Sequence, residues 1–148
     1  MSKKLNASFD TTRHVYDHCL CFAAQRAARA LARRFDEALS PLGLTSGQFS
    51  LLTSLNRPEA PSMGSIAALL VMDRTTLTAN LKPLEQRGFV EIAVDDADRR
   101  VRRLILTPAG RRVLQSALPI WQETHGEIDR LVTPHDGKAL RSGLRALA

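Results

Sequence analysis

The chain is expected to be mainly α, of α+β type with one β-hairpin, and three observations predict this. Long stretches free of Gly and Pro carry apolar residues at helical spacing. One β-prone segment returns on itself after an acidic turn, and Thr or Asp stands at several points where a helix would begin. At 148 residues the chain suits a single domain, long enough to bury a core.

The first helix is predicted from about Arg13 to Leu39, where Leu20, Ala24, Ala27, Leu31, Phe35 and Leu39 recur on one face. Ser40, Pro41 and Gly43 end it. Thr45-Ser46-Gly47-Gln48 has the capping-box pattern and opens a second helix containing Phe49, Leu51, Leu52 and Leu55. Asn56 to Ser62, with Pro58 and Pro61, reads as a loop. A short third helix follows from Met63 to Leu70, with Ile66, Ala67, Leu69 and Leu70 expected to face inward.

Asp73 is placed to cap a fourth helix. In that helix Leu77, Leu81 and Leu84 form an apolar stripe, leaving Arg74, Thr75, Thr78 and Lys82 towards solvent. Pro83 should weaken or kink it, and Gly88 suits the left-handed position that stops it. Phe89 to Val94 is β-prone, Asp95, Asp96 and Asp98 make a polar tip, and the strand returns around Arg103 to Leu106. Thr107-Pro108 signals a long helix through Trp121 towards Leu131, and Thr133-Pro134 is read as the same device opening a terminal helix with Leu140, Leu144 and Leu147.

The charge balance points to the partner. A formal net charge of +6 and an isoelectric point near 10.1, carried mostly by arginine, favour an anionic surface, with nucleic acid foremost. No stretch approaches the roughly 18 apolar residues of a membrane span, and the N-terminal ten residues lack the apolar run of a signal peptide, so a cytoplasmic location is expected. Cys19 and Cys21 are too few for a disulfide framework, and at i, i+2 in one helix their thiols would point to nearly opposite sides. There is no phosphate-cradling glycine loop and no combination of nucleophile, base and orienting acid, so catalysis is not expected and no cofactor is implied.

Third helix, short turn, fourth helix and hairpin together make a winged helix-turn-helix. The second helix of such a unit enters the major groove of duplex DNA, whose width of about 12 Å admits one helix. Arg74, Thr75 and Thr78 are therefore assigned to bases or nearby phosphates and Lys82 chiefly to the backbone; a solvated helix face is the plainer alternative. Between Arg99 and Arg112 there are six arginines and no acidic residue. That concentration places Arg99, Arg100 and Arg102 on the DNA side of the wing, with Arg99 or Arg100 reaching the minor groove. Asp98 is expected either to pair with one of them and set its direction or to serve simply as a turn former.

The order of elements, with Asp73-Arg74-Thr75-Thr76-Leu77-Thr78, Leu84-Glu85-Gln86-Arg87-Gly88, Asp95-x-x-Asp98-x-Arg100 and Leu106-Thr107-x-x-Gly110, resembles the MarR family of bacterial transcription regulators over nearly the whole chain. The resemblance implies a homodimer whose N- and C-terminal helices, here 13–40 and 108–148, interleave between subunits. It implies a winged-helix lobe at 45–106 on each half of a palindromic site, with Arg100 in the minor groove. Such regulators usually repress, and a phenolic compound, another small molecule or an oxidant relieves binding. A dimer also suits the apolar Ile120, Trp121, Ile128, Leu131, Leu140, Leu144 and Leu147, which a small winged helix cannot cover alone.

Leu20-Cys21-Phe22 further resembles the sensing segment of the organic-hydroperoxide branch of that family, which makes Cys21 a candidate redox sensor through a sulfenic acid and a disulfide. That branch carries tyrosines four and fourteen residues downstream; here Gln25 and Phe35 stand there, and Tyr16 is the sole tyrosine of the chain. His14 and His18 could lower the thiol pKa. His14, His18 and Cys21 at i, i+4, i+7 form too slight a ligand set for a metal site to be expected. The expected function is thus a repressor released by a small aromatic or phenolic effector. The alternatives are a peroxide-sensing repressor using Cys21 and a winged-helix protein-interaction adaptor.

Overall fold

The computed structural model describes residues 6–148; the first five residues of the stretch read above for a signal peptide lie outside it. Among the described residues there are seven α-helices, α1 (Phe9–His18), α2 (Leu20–Leu39), α3 (Ser46–Leu55), α4 (Met63–Leu69), α5 (Arg74–Gln86), α6 (Pro108–Val132) and α7 (Gly137–Arg145). A two-stranded antiparallel sheet, β1 (Val90–Val94) and β2 (Arg102–Leu106), completes the fold, and a single 3₁₀ turn at Ser40–Leu42 follows α2. The mainly α, winged-helix class expected from the sequence is what the chain adopts. No helix among the described residues is long and apolar enough to cross a membrane.

The segment expected as one helix from Arg13 is two. Cys19 has an extended backbone (φ −79°, ψ 110°) and caps both neighbours. Its N–H donates to the Val15 carbonyl at 2.9 Å, its own carbonyl accepts from Ala23 N–H at 3.1 Å, and its sulfur accepts from Phe22 N–H at 3.4 Å. The break removes the premise that the thiols of Cys19 and Cys21 point to opposite sides of one helix, and it also dissolves the i, i+4, i+7 face of His14, His18 and Cys21. The two histidines instead stack on each other with ring centroids 4.1 Å apart.

The other starts and stops follow local chemistry. Thr45 and Gln48 complete the capping box of α3, and Ser62 caps α4 through Ser65 N–H at 3.1 Å. Gly88, at φ 73°, ends α5 with Phe89 N–H returning to the Leu84 carbonyl at 2.9 Å. α5 runs on through Pro83 to Gln86. At the other end of the chain, Thr133 is not the cap of α7. It is still right-handed helical and closes α6, its hydroxyl donating to the Asp129 carbonyl at 2.7 Å. Asp136 takes over as the cap, accepting from Lys138 and Ala139 N–H at 3.1 and 3.0 Å, because a carboxylate reaches two free amides.

The core lies where α2, α3, α4, α5, the sheet and α6 meet. Leu39, Leu51, Leu52, Ile66, Leu77, Leu81, Leu84 and Leu104 are fully buried there. Leu69, expected inside, is 55% exposed. Ile66, Ala67 and Leu70 share one side of this seven-residue helix, and Leu69 falls about 100° off it. Beyond the core, the upper half of the α2 stripe is bare: Leu20 is 70% and Leu131 of α6 is 60% exposed, and they join Leu31, Leu140, Leu144 and Leu147 in an open apolar groove.

Two backbone positions are demanding. A Cβ on Gly110 would lie 2.1 Å from the Phe89 carbonyl oxygen and 2.7 Å from Leu106 Cδ1, so only glycine lets α6 start against the base of the hairpin. Gly110→Ala is expected to destabilise the fold by about 1–3 kcal/mol, read as a fall in the urea midpoint at constant slope. Val71, between α4 and α5, has φ 52° with its side chain exposed, a left-handed conformation that a β-branched residue resists. Relief of strain there outweighs the added unfolded-state entropy of glycine, so Val71→Gly should raise stability by about 0.5–1 kcal/mol in the same measurement.

Candidate nucleic-acid interface

Burial sets the rotation of α5. With Leu77, Leu81 and Leu84 all inaccessible to solvent, Arg74, Thr75, Thr78 and Lys82 fall within an arc of about 100° on the exposed side. The start of the helix is held by Asp73, whose carboxylate accepts Thr76 N–H at 2.7 Å and the Thr76 hydroxyl at 3.0 Å. Those bonds, the backbone amide first, hold the Asp73 carboxyl below its ordinary pKa. Its charge therefore stays beside Arg74 while the cap stays ordered. Thr78 donates its hydroxyl to the Arg74 carbonyl at 2.8 Å, which leaves its oxygen lone pairs and methyl for an outside partner.

The far end of α5 is fastened as firmly. Arg87 donates to the Gly43 carbonyl at 2.6 Å and to the Leu42 carbonyl at 3.1 Å, and its guanidinium lies 4.5 Å from the centre of the Phe89 ring. The positive charge of Arg87 is thus spent on the scaffold, joining the end of α5 to the turn after α2. Between the two ends, Thr78, Lys82, Glu85 and Gln86 face Ile92 of β1 across a shallow hollow of about 450 Å³.

In the hairpin, Val90 pairs with Leu106, Ile92 with Leu104 and Val94 with Arg102. At the tip Asp98 receives Arg100 through three bonds, from its backbone N–H at 3.0 Å, Nε at 3.1 Å and Nη2 at 3.2 Å. The Arg100 side chain is nevertheless 91% exposed, so the carboxylate holds a cation by its root while its outer edge stays open. Arg102 turns back to donate to the Arg99 carbonyl at 2.9 Å, closing the tip, and Arg99 is exposed. The structure thereby brings Arg99, Arg100 and Arg102 together at one end of the wing and puts Arg74, Thr75, Thr78 and Lys82 on the neighbouring helix.

Two residues carry more of this geometry than the sequence reading assigned them. Arg103 lies on the opposite side of β2 from Arg102 and pairs with Asp95, Nε to Oδ1 2.8 Å, in a contact more shielded than the one at the tip. The alternation of a strand is the signal that could have separated Arg103 from its neighbours. Ser62 also bridges to Arg103, and Leu104 N–H donates to the Pro61 carbonyl at 2.9 Å, so the loop before α4 is stitched along β2.

Cys21 is exposed and its sulfur accepts from Gln25 Nε2 at 3.2 Å, placing an amide donor at the first of the two positions considered above for tyrosine. Phe35, at the second, packs against the core and has no hydrogen-bonding group. Trp121 is partly exposed and stands 5.1 Å from the His125 ring.

The bonds from Arg100, side chain first and then backbone, hold the Asp98 carboxyl below its ordinary pKa. The wing-tip pair is therefore intact at neutral pH and is lost as the pH falls through the depressed Asp98 pKa. Carboxyl-carbon NMR titration should show a low Asp98 midpoint that Arg100→Ala moves back up; an unmoved midpoint would contradict the pairing.

Known proteins are similar to this chain in sequence and fold. A family model described as the MarR family matches residues 44–101. The transcriptional regulator MosR of M. tuberculosis, in a structure with DNA, is 36% identical with a TM-score of 0.79, over 88% of this chain and 93% of that one. The transcriptional repressor CouR, bound to a 23-mer DNA duplex, is 30% identical with a TM-score of 0.72, over 90% and 92% of the two chains; a further structure of CouR holds p-coumaroyl-CoA. The transcriptional activatory protein BadR of Rhodopseudomonas palustris is 32% identical over 113 residues, 74% of this chain and 65% of its own length. Across three curated relatives the chain spans 49%, 57% and 65% of their lengths. With the winged helix complete and the likeness to MosR running through nearly all of both chains, the chain belongs to the MarR family of transcription regulators.

Proposed function

We propose that this regulator is a homodimeric repressor that binds a palindromic DNA site and is released from it by a small aromatic or phenolic effector. The observation that carries the DNA reading is the pairing of an outward α5 face with a wing-tip arginine that is root-held by Asp98 and otherwise open. In this reading α5 lies in the major groove, with Arg74, Thr75 and Thr78 at bases or adjacent phosphates and Lys82 at the backbone. Arg100 enters the minor groove, where negative potential favours a guanidinium, while Arg99 and Arg102 face phosphate. Lobe 45–106 does this work in the cytoplasm, beside the DNA.

The helical segments 13–40 and 108–148 form the dimer. The uncovered groove along α2, α6 and α7 supports this, since Leu20, Leu131, Leu140 and Leu147 gain most by burial against a second copy. Two lobes related by a two-fold axis then meet successive major grooves about 34 Å apart. An effector releases DNA by preferring a different spacing, because a ligand shifts an equilibrium only through its differential affinity for the two states. CouR, seen both on DNA and with an aromatic acyl-CoA thioester, supports an aromatic effector and a repressing role.

A second trigger has one specific observation in its favour. The exposed Cys21 sulfur accepts a hydrogen bond from Gln25, which holds it at the surface where an oxidant can reach it. Release of DNA by cumene hydroperoxide from the parent protein, abolished in Cys21→Ser, is the outcome this reading expects. Equal release from both proteins removes the cysteine from the mechanism.

The groove assignments are tested on a duplex selected from genomic fragments by the purified protein. Arg100→Ala should weaken binding by about tenfold at matched salt while the dimer stays folded. Arg74→Ala should in addition relax sequence preference; a uniform loss over all sequences would make Arg74 a phosphate contact. A complex with protein that ignores salt, and no affinity for any duplex, would favour an adaptor instead.

A further inference from the structure

The Asp95 carboxylate serves two parts of the wing at once. Oδ1 accepts Arg103 Nε at 2.8 Å, and Oδ2 accepts the backbone N–H groups of Ala97 at 3.1 Å and Asp98 at 2.9 Å. The Asp95 N–H donates to the Val101 carbonyl at 3.0 Å, so the residue also closes the ladder beneath the tip. On the other side, Arg103 Nη1 donates to the Ala60 carbonyl at 3.4 Å, in the loop that leads within two residues to Ser62, the cap of α4. A continuous chain of bonds therefore runs from the helix-turn-helix through Ala60, Arg103, Asp95 and Asp98 to Arg100. The side chain of Asp95 is 18% exposed and that of Arg103 39%, against 91% for Arg100, so this pair is screened less than the tip.

We propose that the Asp95–Arg103 pair is a positioning device that fixes the angle of the wing relative to the helix-turn-helix, and so aims Arg100 although neither residue reaches the DNA. The proposal rests on the DNA-binding reading above. Without the pair, the hairpin keeps its ladder but loses the carboxylate that organises its turn and the guanidinium that ties it to the loop before α4. Arg103 is in this view a neutralised scaffold cation and not a phosphate contact. The bonds from Arg103 and Asp98 N–H also hold the Asp95 carboxyl below its ordinary pKa, so the pair is present throughout the neutral range.

Simple electrostatics and positioning predict opposite signs. Deleting a carboxylate beside a basic wing should tighten binding to a polyanion, whereas loss of the brace should weaken it. In a fluorescence-anisotropy assay on the selected duplex, Asp95→Ala is expected to lose about tenfold in affinity. The double variant Asp95→Ala/Arg100→Ala should bind no more than about twofold more weakly than Arg100→Ala alone, since the brace acts through that arginine. Arg103→Lys, which keeps the charge but not the fork, should lose part of the affinity while remaining folded. Hydrogen exchange without DNA supplies an independent readout: Asp95→Ala should speed exchange at 95–101 and leave 46–86 unchanged. Affinity equal to or above the parent, losses that multiply in the double variant, or unchanged exchange in the wing would overturn the proposal. Failure of the parent protein to bind any duplex would instead strike the regulatory reading, and the exchange data would then decide the brace.

Discussion

Burial of one leucine stripe on α5 is the constraint from which the rest of the interface follows. Leu77, Leu81 and Leu84 are fully enclosed, and each contributes roughly 1.5–3 kcal/mol by leaving water. No rotation of α5 about its axis preserves that burial, so the direction of Arg74, Thr75, Thr78 and Lys82 is decided by apolar packing and not by their own contacts. The polar face makes few bonds of its own within the chain, which leaves it available to an outside partner. Asp73 caps one end of the helix, and Arg87 ties the other to the turn after α2, which stops the helix from sliding along the same seam.

The wing is built on a different principle. It has only two strands and a short tip, too little apolar surface to be rigid alone. Its order comes from close contact at the base, where Gly110 allows α6 to sit against Phe89, and from carboxylates further out. Asp95 binds turn and base together, and Asp98 holds the arginine. Asp95 and Asp98 are each matched to particular donors, so these two carboxylates act less as a repulsive patch than as sockets for particular cations. The arginines divide accordingly: Arg103 and Arg87 belong to the scaffold, while Arg100 presents its charge to solvent.

Much of this was legible in the sequence wherever a single local rule applied. The capping box at Thr45, the cap at Asp73, the left-handed Gly88 and the Thr107-Pro108 start all depend on residues within a few positions of one another, and all stand as expected. The errors came where two local options compete. Cys19 offers a sulfur acceptor that splits a stretch rich in helix formers, and Asp136 outcompetes Thr133 because its carboxylate serves two amides while the threonine hydroxyl folds back on α6. Leu69 was misplaced because a seven-residue helix has only one side to bury.

The sequence by itself determined most of the elements and their order, the caps at Thr45, Asp73 and Thr107, the apolar stripe and the arginine-rich hairpin, since these follow from periodicity and short-range chemistry. Tertiary structure alone decided which arginines are free. Arg87, Arg100, Arg102 and Arg103 are alike as letters, but one is spent on the carbonyls of Leu42 and Gly43, one is held by its root, one closes the tip, and one joins the wing to the loop before α4. The carbonyls that receive Arg87 and Arg103 lie 43 to 45 residues away, and no local pattern encodes which of them the packed core will bring within reach.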